Sequence, residues 1–176
     1  MHKVIYFEND SQGKSYCAGH IYYDFLDYAF ARTDYFMLVY VDYYGKGYTK
    51  CQKYFRDALN PFKIKNRTNP SWPGTPKTFC RDTSYDIVFY RNCEEAKNIL
   101  KRTTCLSDWS RPEFPEDLAF FKGNKCWSFS VGHEGLGAII DADENDLDFI
   151  ELRGLSSRKK ALIIEDAVSD IYDEHF

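Results

Sequence analysis

The 176-residue sequence has no C-x-x-C pair, only four histidines, two methionines and no long apolar run. Each shortage excludes something. The six cysteines stand at 17, 51, 80, 93, 105 and 126, too scattered for the close ligand pairs of a structural zinc site. Free, buried thiols in a reducing compartment are the expectation. Two of the histidines, His2 and His175, lie beside a terminus, so a site built on histidine alone is poorly supplied. No cofactor-binding signature is present, and none is expected to be needed. The opening "MHKVIYFEND" lacks the basic start and apolar stretch of a signal peptide. No segment reaches the ~18 apolar residues of a membrane span. A soluble, cytoplasmic protein is expected.

Aromatic residues, by contrast, are plentiful: 14 Tyr and 14 Phe bring the aromatic share to 18%. Tyrosine offers rigid area and a hydroxyl, which suits a core and a contact surface alike. The net charge of −4 conceals an asymmetry. Residues 141–176 hold 11 acidic and 4 basic side chains, whereas residues 46–81 hold nine Lys/Arg and one acid, Asp57. That basic segment is the strongest numerical signal in the chain.

The length fits one domain, 1–176. "KVIYFE" and "DYFMLVYVDYY" read as strands, the second apolar on both sides and therefore central. Helical spacing runs from Gly19 to Arg32 and from Tyr48 to Phe62, where Pro61 closes the helix. "KIKNRTNPSWPGTP" carries the proline and glycine of a loop, with Pro73-Gly74 signalling a type II turn. "KTFCRDTSYDIVFYRN" reads as one or two strands, and "CEEAKNILKRTT" as a helix that Asn92 and Glu95 could cap. Gly123-Asn124 marks a two-residue hairpin turn, and a short helix is expected over Asp143–Leu152. A final amphipathic helix is expected from Ser156. The mixture of helices with a hairpin points to the α+β class: a single compact domain with about four helices and a mixed or mostly antiparallel sheet.

"CWSFSVGHEGLGAII" draws attention because His133-Glu134 interrupts an apolar run between glycines. With His20 it could supply an acid and a base for a hydrolase or a nucleotide-binding protein. The partners of known constellations are missing, however. Position 137 is glycine where a zincin helix needs its second histidine. Neither His20 nor His133 is followed by the hydroxyl of the H-x-[ST] phosphoesterase triplet. A strand end with a tight turn explains the segment without chemistry. "DADENDLDFIEL" similarly fails as a calcium loop, because Asp146 stands where glycine is needed and Leu152 where glutamate is needed. The basic segment is a more complete proposition. Lys46, Lys50, Lys53 and Arg56 line a helix, Lys63, Lys65 and Arg67 extend the charge, and Tyr43, Tyr44 and Trp72 are interleaved. Such a set suits an acidic protein partner, an anionic nucleotide ligand or a nucleic acid.

On "YFMLVYVDYY", "CQKYF", "SWPGT", "PEDLAFF" and "SVGHEGLGAII", the chain resembles a family of small bacterial proteins. These pair a W-P-G-T loop with a later P-E-D-L-x-F-F and H-E segment, and some are labelled stage III sporulation protein AH. The resemblance implies no activity, but it implies that Trp72, Pro73, Gly74, His133 and Glu134 are motif positions. The leading expectation is a non-catalytic binding protein that docks or sequesters a partner through residues 43–81. A toxin-neutralising immunity protein and a phage-encoded inhibitor of bacterial defence are analogous cases.

Overall fold

A computed structural model describes residues 1–75, 83–155 and 163–166. In chain order the elements are β1 (His2–Glu8), α1 (His20–Arg32), β2 (Tyr35–Tyr43), α2 (Lys50–Leu59), β3 (Lys63–Thr68), β4 (Thr83–Arg91) and α3 (Glu94–Leu100). There follow β5 (Glu116–Lys122), β6 (Lys125–Val131), β7 (Leu136–Ile140), α4 (Glu144–Arg153) and β8 (Ile164–Asp166). The strands form one eight-stranded sheet in the order β3-β4-β2-β5-β6-β7-β1-β8. Every neighbouring pair is antiparallel. The chain is a single compact α+β domain.

The period of two along each strand divides the core. From β2, Phe36, Leu38 and Tyr40 face one side and Met37, Val39 and Val41 the other, all of them buried. The first side receives all four helices. Phe25 and Ala29 of α1, Phe55 and Leu59 of α2, Leu100 of α3 and Ile150 of α4 join one apolar cluster there. On the opposite side the buried cluster consists of strand residues, and Trp72 is the one described residue in it from outside a strand. As its apolar pattern predicts, β2 is interior, paired with β4 on one side and β5 on the other.

Local signals account for most boundaries. The Thr49 hydroxyl caps α2 by accepting from Gln52 N. Asp143 and Asp146 form a reciprocal capping box on α4, and Gly154 closes that helix at φ 67°. The acids of "DADEND" are therefore spent on a helix start. Gly123 and Asn124 make the β5–β6 turn as expected. Three expectations fail. Lys63–Thr68 is an edge strand: alternate residues Lys65 and Arg67 turn to one face, where their cationic groups lie over the Phe89 ring of β4. The Asn92–Glu95 box does not form: Cys93 occupies the cap position, and the Asn92 amide donates to Thr33 O and Oγ1 instead. Where a helix was expected from Ser156, Ile164–Asp166 forms β8, whose backbone pairs with β1, and the rest of that expected helix lies outside the described residues. Among the described residues, no helix is long and apolar enough to cross a membrane.

Candidate functional site

Four sequence segments that looked independent converge on one buried carboxylate, Asp117. It sits at the start of β5, where the register with β2 slips between Met37 and Val39, and its backbone is left-handed at φ 51°. Such a bulge aims a side chain out of the normal alternation. The Trp72 indole Nε1 donates to Asp117 Oδ2 at 2.7 Å, and Thr75 Oγ1 donates to the same oxygen at 3.0 Å. Gly132 N donates to Oδ1 at 2.9 Å, while Asp117 N donates to Trp109 O at 3.1 Å. "SWPGT", "SDWS", "PEDL" and "SVGHEG" are thus tied together. Burial raises the Asp117 carboxyl above its ordinary value, against its three donors and the His133 charge, which favour the ionised form.

The W-P-G-T turn is built as its residues suggest. Thr75 N donates to Trp72 O at 2.9 Å, with Gly74 at φ 83°. A side chain on Gly74 would also strike Phe129 and Val131. Trp72 is 1% exposed and stacks near Tyr85, so it is a core residue rather than a surface anchor. Gly132 is equally constrained, since a Cβ there would lie 2.0 Å from Trp109 O. We expect Gly132→Ala to cost about 1–3 kcal/mol, because backbone must move to admit the methyl group. Urea denaturation reads this directly, and an unchanged midpoint would show that the approach relaxes freely.

His133 and Glu134 occupy a 3-10 turn, Gly132–Glu134, between β6 and β7. Both are exposed, 3.8 Å apart, on an open cleft of about 460 Å³ shared with Glu8 and Asp10. His20 is the first residue of α1. Among the described residues, no hydrogen bond or ion pair joins it to His133. Of the hydrolase candidates, His133 and Glu134 are adjacent on the cleft.

The basic segment is divided by the fold. Lys50, Lys53, Tyr54 and Asp57 form the outward stripe of α2 at helical spacing, opposite buried Gln52, Phe55 and Leu59. Lys46 lies in the exposed turn before the helix, and Lys63 at the exposed start of β3. Arg56, expected on that surface, instead turns inward. Its guanidinium meets Asp86 at 2.6 Å and lies over the Tyr40 and Tyr48 rings, a stacking that only its planar cation can make. Lys65 and Arg67 project to the other side of the sheet, over Phe89. Burial holds both below their ordinary values, with the Arg67 charge adding to the effect on Lys65. Tyr43 is half-buried and accepts from Arg111 Nη1 at 3.2 Å, whereas Tyr44 is 62% exposed. Sequence reasoning missed Tyr54 and Ile64, which are 42% and 53% exposed beside these lysines. The outward phase of Tyr54 with Lys50 was the available signal.

The architecture defines a class: an α+β protein with four helices on one side of an antiparallel sheet. Compared with models of protein families, curated proteins and solved structures, the chain matches none.

Proposed function

We propose that the protein is a non-catalytic binding protein that docks an acidic protein partner on the rim formed by α2 and the start of β3. One observation carries the reading. Along α2 and the two segments that flank it, Tyr44, Tyr54 and Ile64 are exposed, as are Lys46, Lys50, Lys53 and Lys63, none of which has a carboxylate within ion-pair distance among the described residues. Exposed apolar side chains together with unpaired cations match the composition of interface centres and rims. At α3, by contrast, Lys97 and Lys101 are both engaged by Asp27.

A protein partner fits this rim better than a nucleic acid does. A phosphate backbone offers nothing apolar to Ile64, whereas an acidic protein can bring both carboxylates and an apolar contact. Immunity proteins and inhibitors of bacterial defence work by such docking, and kinship with the W-P-G-T family is proposed on the same footing.

The test begins with a partner captured by the wild-type protein and identified by mass spectrometry. K46E/K50E/K53E should weaken that partner's binding by at least about 100-fold through like-charge repulsion. Circular dichroism and thermal midpoint should stay unchanged, because all three side chains are solvent-exposed. Undiminished binding by the triple variant would refute the proposal. Binding to DNA or RNA that falls steeply with salt would favour the nucleic-acid alternative.

A further inference from the structure

A second cavity lies at the far end of the β5–β6 hairpin, remote in sequence from the docking rim and independent of it. It encloses about 250 Å³ between Arg32, Lys122, Lys125, Trp127, Ile140 and the start of α4. Three observations there point to a ligand.

The first is a pair of like charges. Lys122 and Lys125 are direct cross-strand partners, so their side chains emerge on the same face of the hairpin. Directly opposed cations destabilise a hairpin unless an anion lies between them. Neither has an ion-pair partner among the described residues. The carboxylates lining the cavity are already engaged: Asp143 and Asp146 by Arg32 and by the α4 cap, Asp141 by His2. The turn that presents the lysines is fixed, since Gly123 N donates to Asp34 Oδ2 and Tyr35 OH donates to Gly123 O.

The second observation is an unsatisfied donor. Trp72 Nε1 is bound by Asp117 and Trp109 Nε1 by Tyr22 OH. Trp127 is 8% exposed, and among the described residues its Nε1 has no acceptor. An orphaned buried N–H is uncommon enough to require a cause. The third is a bulge. Phe121 faces Cys126 while Phe120 faces Ser128, leaving Trp127 as the extra residue, turned to the helix side against Phe25 and Tyr28. Bulges of this kind re-aim a side chain at a site.

We infer that this cavity binds a small organic anion, a carboxylate or phosphate monoester on a compact apolar body. Lys122 and Lys125 hold the anionic group, and the Trp127 ring flanks the apolar part. The volume lies below the roughly 300–1,000 Å³ of ordinary ligand clefts, so a metabolite fits and a dinucleotide does not.

Benzoate and phenyl phosphate are suitable probes, with benzamide as the neutral control. The readout is the three indole N–H signals in ¹⁵N-edited NMR, with Trp127→Phe to assign that of Trp127. Benzoate or phenyl phosphate should shift the Trp127 signal saturably and leave the Trp72 and Trp109 signals in place. K122Q/K125Q, changed only at exposed hairpin positions, should bind at least about tenfold more weakly, since each lysine supplies a charge-assisted contact. A stronger response to benzoate identifies a carboxylate ligand, and a stronger response to phenyl phosphate a phosphate ester. The inference is overturned if neither probe shifts Trp127 at millimolar concentration, if benzamide shifts it equally, or if K122Q/K125Q binds as the wild type does.

Discussion

Asp117→Ala should cost at least about 3 kcal/mol of folding stability, an effect that places it among the most damaging single substitutions in this chain. Two causes add. Removing the carboxylate strands the Trp72 indole N–H, the Thr75 hydroxyl and the Gly132 amide in an interior where Asp117 itself is 1% exposed. Each stranded donor costs about 1–3 kcal/mol. Alanine must also adopt φ 51°, which aspartate tolerates better because its short polar side chain bonds locally. Asp117→Gly separates the two causes. It keeps the orphaned donors but relieves the backbone, and should be about 1 kcal/mol more stable than the alanine variant. Asp117→Asn should fall between wild type and alanine, because its amide nitrogen can only oppose one of the three donors. Urea denaturation of the four proteins tests the ordering. A loss under 1 kcal/mol for Asp117→Ala would mean that the four segments hold together without their shared carboxylate.

Why the hub was not legible in the sequence follows from its construction. "SWPGT", "PEDL" and "SVGHEG" each attracted notice, but a hydrogen bond between Trp72 and Asp117 spans 45 positions and leaves no local periodicity. Nothing short of the fold says that the acid of one motif completes the turn of another. The elements whose information is local were readable: the apolar two-sidedness of β2, the short helix α4, the Gly-Asn turn. β3 was misread because its strand character depends on Phe89 across the ladder, while its own lysines and following prolines resemble a loop. The charge of residues 46–67 was legible as a sum and illegible as a surface. Strand alternation and the Asp86 ion pair send Arg56, Lys65 and Arg67 away from Lys50 and Lys53.

Glu116, the neighbour of Asp117, should make the protein less stable as pH rises from about 4.5 to about 7. It is 2% exposed, and burial, followed by the adjacent Asp117 charge, raises its carboxyl from 4.5 to about 7. The guanidinium of Arg111 opposes the rise. Its Nε lies 2.8 Å from Oε1 but without hydrogen-bond alignment, so the attraction is insufficient to offset desolvation. In the unfolded chain the same carboxyl ionises near its ordinary value. Between the two values the folded protein binds more protons than the unfolded chain does. Stability from this group is therefore fully present below about pH 4.5 and is lost as pH passes the folded value. The full amplitude is about 3 kcal/mol, from 1.36 kcal/mol for each unit between 4.5 and about 7. Asp27, Asp108 and Asp143 are shifted the other way, and their losses fall below the ordinary carboxyl range, outside this window. Glu116→Gln removes the titration while keeping the shape. Wild type and variant should have stabilities that diverge steadily from pH 4.5 to 8, with the glutamine protein the more stable at the alkaline end. Parallel curves across that range would show that Glu116 ionises in the folded protein as it does in the unfolded chain, with Arg111 neutralising it after all.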